Sequence, residues 1–339
     1  MHDLPETIQP LLEAMKKLDA SDLHLKTGVP PCYRVAGKLR RTDIPPIHVD
    51  GRDIEGLMKP IVPPRKWEDY ERRGATDFAF LLPDGDRFRI NVMRSCDHMH
   101  AAIRRVKATI PNFAELHLPP VMQRLAEETF EGLIMVCGVT GSGKSTTMAA
   151  MIDHINANRY CNIVSIEDPI EYGFKPKNAI ISQREIGLDV ESFADGLRSA
   201  VRQDPDVIFV GEMRDHETVL AALQAAETGH LVFATLHTAD TMQSIGRILE
   251  FFAPEQHAFI RSSLANSLKA ICAQRLLPAI DEKILRVPAM EVLLGDAIVK
   301  EKIREGEDED IPGIISGSKE GGMQNFTMAL ARLVQSDLV

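Results

Sequence analysis

Apolar residues recur along this chain with two different rhythms, which divide it into two parts. Ile8, Leu11, Leu12, Met15 and Leu18 fall three or four apart and predict an amphipathic helix over 6–18. Leu23 and Leu25 then alternate with polar residues, as a strand would, and 33–40 reads as two short strands around a turn at Ala36-Gly37. Past the Pro45-Pro46 link a helix is expected at 50–60, and past Pro63-Pro64 another at 65–73. Strands over 76–82 and 87–93, joined by the turn Pro83-Asp84-Gly85-Asp86, and a strand over 100–106 complete the first part. Residues 1–107 therefore predict a small α+β domain with an antiparallel sheet, and 108–120, with Pro111, Pro119 and Pro120, a linker.

Beyond the linker, continuous apolar runs alternate with helical spacing. The expected elements are helix 121–129, strand 133–137, helix 144–157, strand 161–166, helix 190–203, strand 206–210, helix 215–227, strand 231–236 and helix 240–250. Such alternation predicts an α/β fold, a mostly parallel sheet with helices on both faces, over 121–280. Phe193, Leu197, Ala200 and Val201 form one stripe of the helix at 190–203, and Gly229 stands where the preceding helix needs a left-handed cap. Residues 281–339 are expected to be a helical C-terminal region. Its last helix opens near Gly322-Met323-Gln324-Asn325-Phe326 and turns Met323, Phe326, Leu330 and Leu333 toward a core.

Composition narrows the class of protein. At 339 residues, 44% hydrophobic and 26% charged, the chain has material for two cores, no low-complexity tract and no apolar run near the ~18 residues that span a bilayer. The opening Met1-His2-Asp3-Leu4-Pro5 predicts no secretory leader. The five cysteines form no C-x-x-C pair, which fits reduced thiols and argues against a zinc knuckle. A net charge of −10 disfavours a broad nucleic-acid surface, so no nucleic acid is expected as a partner.

The candidate chemistry centres on Gly138-Val139-Thr140-Gly141-Ser142-Gly143-Lys144-Ser145, with Thr146 just after it. It lies between the apolar run 133–137 and a helix-forming segment, the strand–loop–helix setting in which G-x-x-x-x-G-K-[ST] cradles phosphates. Backbone N–H groups and the helix N-terminus favour the anion, Lys144 reaches the β- and γ-phosphates, and the Ser145 hydroxyl binds Mg²⁺. In a parallel sheet the ligand lies beyond the carboxyl ends of the strands. Three other strands end there in polar residues: Ile163–Ile166 runs into Glu167-Asp168-Pro169, Asp206–Val210 into Gly211-Glu212, and Leu231–Leu236 into His237-Thr238. Glu212 is the first choice for orienting and polarising the attacking water, and His237 for sensing the γ-phosphate. His230 sits at the other end of the strand from His237 and should not share its contacts. Arg87 and Arg89 fall on one face of a strand, with Arg104 and Arg105 on the next. They form either a solvated basic face or arginine fingers that reach a triphosphate in the same chain or a neighbour.

Taken together, Gly-Val-Thr-Gly-Ser-Gly-Lys-Ser, Ile-Glu-Asp-Pro-Ile-Glu, Arg-Gln-Asp-Pro-Asp-Val-Ile-Phe-Val-Gly-Glu-Met-Arg-Asp and Glu-Thr-Gly-His-Leu-Val-Phe-Ala-Thr-Leu-His-Thr resemble the type II/IV secretion ATPase superfamily. Within it the chain is most similar to the PilT-like type IV pilus retraction ATPases, over a stretch running from Ala20 to Pro278. The resemblance implies a PAS-like first domain, a RecA-like P-loop NTPase core, and a homo-hexameric ring with nucleotide held between domains. It implies Walker A roles for Lys144 and Ser145, an Asp-box role for Glu167, a Walker B role for Glu212 and His-box roles for His230 and His237. Gly211 stands where many phosphate-loop enzymes carry the Walker B aspartate, a replacement ordinary in this family. The implied activity is Mg²⁺-dependent ATP hydrolysis driving pilus disassembly and twitching motility. The implied site of action is the cytoplasmic face of the inner membrane, against a platform protein and beside a second pilus motor ATPase. Assembly and secretion members typically carry a long additional N-terminal region and a four-cysteine zinc insert; this sequence opens almost directly at the PAS-like segment and has no paired cysteines, so a retraction-type motor is expected. Ala297–Gly306 only approximates the retraction family's C-terminal element. The acidic run Glu307-Asp308-Glu309-Asp310 that follows is expected to be a solvated loop.

Overall fold

A computed structural model of the protein describes residues 6–47, 54–83, 86–106, 109–281, 284–318 and 321–339. The chain divides into two compact units, one of residues 1–109 with 171–173, the other of 110–170 with 174–339. The first carries α1 (Gln9–Lys17), β1 (Ala20–Leu25), β2 (Cys32–Val35), β3 (Lys38–Arg41), α2 (Ile54–Met58), α3 (Pro64–Arg73), β4 (Ala75–Leu81), β5 (Arg87–Ser95) and β6 (His98–Val106). Its strands form one antiparallel sheet in the order β3-β2-β1-β6-β5-β4. Leu11, Leu12 and Met15 of α1 are buried with Leu23, Phe78, Phe88 and Ile90 of the strands, so the helix stripe and the strand alternation meet in one core. The N-terminal part of the helix expected at 50–60, and Asp84-Gly85 of the expected turn, lie outside the described residues.

The second unit carries α4 (Pro120–Glu128), β7 (Gly132–Cys137), α5 (Lys144–Asn158), β8 (Asn162–Glu167), β9 (Ile180–Glu185), α6 (Phe193–Ala200), β10 (Val207–Val210), α7 (His216–Glu227), β11 (Leu231–Leu236), α8 (Thr241–Glu250), α9 (His257–Ser267), β12 (Leu268–Pro278), β13 (Arg286–Leu294), α10 (Ala297–Glu305), α11 (Ile311–Gly317) and α12 (Phe326–Gln335). Seven strands form one sheet in the order β13-β12-β7-β11-β10-β8-β9, parallel except for the β12–β13 pair. Helices cover both faces, which explains the unbroken apolar run of β7. Leu133, Met135 and Cys137 enter one core, while Ile134 and Val136 enter the other. Each fully buried aliphatic side chain contributes roughly 2 kcal/mol of burial free energy. Five helix starts share one device: Ser192, Asp215, Asp240, Asp296 and Asn325 each accept from a backbone N–H in the first turn of the helix that follows.

Three sequence expectations need correction. Strands β9, β12 and β13 were not foreseen, and β13 enters the sheet from within the C-terminal region otherwise made of helices. Leu330 of α12 is 45% exposed, so the buried face of that helix runs through Ala329 and Leu333 instead. Asp308–Asp310 of the acidic run form a short 3₁₀ turn, and Glu307, Asp308 and Asp310 are paired. Arg261 of α9 donates from Nη1 and Nη2 to the two oxygens of Asp308 at 2.8 and 2.7 Å, and from Nη1 to Ile303 O at 3.0 Å. Lys302 pairs with Glu307 and, at 2.9 Å, with Asp310.

Candidate active site

At the carboxyl end of β7 the chain leaves the sheet into the glycine-rich loop and re-enters regular structure at Lys144, the first residue of α5. Gly143 takes a left-handed backbone, φ 88°, and a Cβ there would lie 2.8 Å from Gln274 Nε2. Glycine alone meets both conditions without strain. Gln274 is itself only 2% exposed. Its Nε2 donates to Ser142 O at 2.7 Å, and its Oε1 accepts from Thr147 Oγ1 at 2.7 Å. The residue arrives on β12, whose Ala273 stands opposite Cys137 of β7. Lys144 is buried, and its Nζ donates to Gly138 O at 2.7 Å and Val139 O at 3.3 Å, so the ammonium lies over the loop. Ser142 Oγ is buried with no hydrogen-bond partner among the described residues, a polar atom left over inside the loop. Burial raises the Cys137 thiol beneath the loop, outweighing hydrogen bonds with Ser244 and Thr238 and the Lys144 charge, so it is a neutral packing group.

Sheet order decides which polar strand ends meet. β11 lies next to β7, then β10, then β8. His237 is thus one strand from the loop, Glu212 two and Glu167 three, at about 4.8 Å per strand. Glu212 Oε1 is 3.3 Å from His237 Nε2, and its Oε2 is 2.7 Å from Arg214 Nη2. Arg214 Nη1 reaches Asp168 Oδ2 at 3.1 Å. The turn carrying Glu212 is pinned on both sides: Gly211 N donates to Ile166 O at 2.8 Å and Met213 N to Thr235 O at 3.0 Å. Glu167 is buried, with Oε1 accepting from Ser165 Oγ at 2.6 Å and Gln183 Nε2 at 3.0 Å. A Cβ on Gly211 would lie 3.2 Å from both Glu167 Cα and Ile166 O, so the end of β8 crowds out a side chain at the Walker B aspartate position.

His230 precedes β11 at the opposite end of that strand from His237, with Nδ1 2.9 Å from Ala225 O and 3.2 Å from Thr228 Oγ1. The fold does not bring it to the loop. Arg89 and Arg104 stand opposite each other in the β5–β6 register, and Arg87 stands opposite Val106. Arg104 Nε donates to Asp22 Oδ1 at 2.9 Å, and Arg34 Nε is 3.6 Å from Asp22 Oδ2. Burial works to raise the Asp22 carboxyl, but hydrogen bonds from Ser21 and Arg104 and the Arg104 charge outweigh it and leave it below the ordinary value. Gln274 and Arg214 were not singled out from the sequence. Gln274 reaches partners 132 and 127 positions away and Arg214 an anchor 46 positions away, although Arg214 lies within a motif that carries the resemblance and Gln274 within the stretch it spans.

The family model described as type II/IV secretion system protein matches residues 3–303. The chain belongs to this family. Among curated type II/IV secretion ATPases, it is 40% identical over 332 residues to the type IV pilus retraction ATPase PilT of Pseudomonas aeruginosa, covering 98% of this chain and 95% of that one. It is 38% identical over 327 residues to the type IV pilus ATPase PilU of the same organism, covering 96% of this chain and 84% of that protein. A crystal structure of the pilus retraction motor PilT with bound ADP superposes with a TM-score of 0.90 at 41% identity, covering 98% of this chain and 94% of that one. The chain is therefore a PilT-like secretion-family ATPase with the α/β fold of that group. Among the described residues no helix is long and apolar enough to cross a membrane.

Proposed function

We propose that this chain is a Mg²⁺-dependent ATP hydrolase that works as a ring of six copies and powers retraction of type IV pili. The observation that carries this reading is the gathering of the phosphate loop, His237, Glu212 and Glu167 at the ends of neighbouring strands. The 40% identity to PilT along nearly the whole chain supports the choice of pilus retraction. Backbone N–H groups of 138–146 and Lys144 bind the phosphates. The glycine-framed loop, with Ser142 Oγ unpartnered inside it, fits such a guest. Ser145 would hold the metal ion, which neutralises charge on the β- and γ-phosphates when bound. Glu212 takes a proton from the attacking water, whose oxygen bonds to the γ-phosphorus as the bond to ADP breaks, leaving ADP and phosphate. His237, one strand closer, contacts the γ-phosphate, and Glu167 supports the same site from β8. His230, at the other end of β11, would reach nucleotide in a neighbouring copy, and Arg87, Arg89 and Arg104 would act as arginine fingers as turnover moves the PAS-like domain against the RecA-like core. In this reading the ring acts at the cytoplasmic face of the inner membrane on a pilus platform protein.

The test is ATP turnover by the purified protein, with assembly mass recorded, for wild type, Lys144→Ala and Glu212→Gln. The expected outcome is a ring that turns over ATP, a Glu212→Gln variant that binds but stalls, and a Lys144→Ala variant that does not bind. Twitching should return when the wild-type gene, and not Glu212→Gln, is supplied to cells lacking their retraction ATPase. The alternative is an accessory nucleotide-binding ring component with little turnover of its own. Assembly and ATP binding with no hydrolysis above the Glu212→Gln level would select it.

A further inference from the structure

Both carboxylate oxygens of Glu212 are engaged, and their partners lie on opposite sides. Oε1 faces His237 at 3.3 Å, on the β11 side where the phosphate loop lies. Oε2 is held at 2.7 Å by Arg214, whose other terminal nitrogen is 3.1 Å from Asp168, past the end of β8 on the far side. One guanidinium thus ties an oxygen of Glu212 away from the loop and leaves the other turned toward it. A planar fork suits this task, because two fixed N–H directions reach two carboxylates at once.

We propose that Arg214 is the positioning residue for the proton acceptor: anchored on Asp168, it fixes Oε2 of Glu212 and makes Oε1 the atom that receives the proton from water. This rests on the reading of Glu212 as the base. Arg214 gives up no proton. Its hydrogen bond to Glu212, together with the charges of Glu212 and Asp168, raises it above the ordinary value despite partial burial. The groups facing Glu212 are His237 from β11, Arg214 from its own turn, and Asp168 of the β8 end through Arg214. Glu167, also of β8, has its Oε1 bound to Ser165 and Gln183.

The experiment measures kcat and ATP KM for the assembled protein and four variants. Arg214→Ala should lose kcat by about tenfold or more with KM within about twofold, because the base is misplaced while the nucleotide keeps its contacts. Arg214→Lys should recover only part of that loss, since an ammonium cannot fork. Asp168→Asn should lower kcat by a smaller factor at unchanged KM, because the guanidinium loses part of its anchor. This split between kcat and KM is a signature that a merely structural role would not produce, and the Lys and Asn variants keep the test alive if Arg214→Ala does not assemble. Unchanged kcat in Arg214→Lys and Asp168→Asn overturns the proposal, as does an Arg214→Lys variant indistinguishable from Arg214→Ala. Glu212→Gln separates the two readings. Wild-type turnover there sinks the base assignment, whereas lost turnover there with wild-type kcat in the Arg214 and Asp168 variants sinks only the role of Arg214.

Discussion

Gln274 holds the phosphate loop from outside it, spending both ends of one amide on Ser142 O and Thr147 Oγ1. Replacing it by leucine, close in volume, leaves a buried carbonyl and a buried hydroxyl unpaired, at about 1–3 kcal/mol each. Gln274→Leu should therefore lower stability in a denaturant titration by roughly 2–6 kcal/mol and weaken ATP binding at least tenfold. Gln274→Glu should fall between, since it accepts from Thr147 but cannot donate to Ser142. Gly211 offers a second check. With 3.2 Å to the end of β8, Gly211→Asp should lose turnover and about 1–3 kcal/mol of stability, measured by ATPase assay and thermal melt. The loop, Glu212, His237 and Glu167 were legible in the sequence because each follows an apolar run, and that position alone puts them at one end of the sheet. Gln274 and the Arg214–Asp168 anchor were not, because they depend on which strands are neighbours.

Among the elements, hidden boundaries account for what the sequence reading missed. α9 passes directly into β12 at Ser267-Leu268, with no glycine or proline between, so an apolar stretch reads equally well as either. β9 is an edge strand with only Glu185 buried, and its alternation is faint. The acidic run misled for another reason: the arginine that neutralises Asp308 lies on α9, packed beside it only in the fold. Asp308→Ala should strip α9 of this two-bond pair and cost about 1–3 kcal/mol, read by chemical unfolding. β1 and β6 are joined by Asp22 and Arg104, and Asp22 sits below its ordinary pKa. A carboxyl lowered on folding stabilises above its unfolded value, near pH 4, and loses that contribution as pH falls through the folded value. In an acid titration the wild type should therefore lose stability more steeply below about pH 4 than Asp22→Asn does.

For the molecule as a whole, nucleotide and stability are linked. ADP at about 100 times its Kd should add about 2.7 kcal/mol to the stability of the unit that carries the loop, and Lys144→Ala should show almost none of this in a thermal melt. The same clamp also bears on how the protein is made. Ser142 and Gln274 are 132 positions apart, so the loop emerges from the ribosome long before the strand that closes it. At about 5–20 residues per second, the interval is roughly 7–26 s. Throughout it the nascent chain carries a complete phosphate-binding motif without its brace, so ATP enters the life of this protein after synthesis has passed β12, as a guest of the finished sheet and not as a template for it.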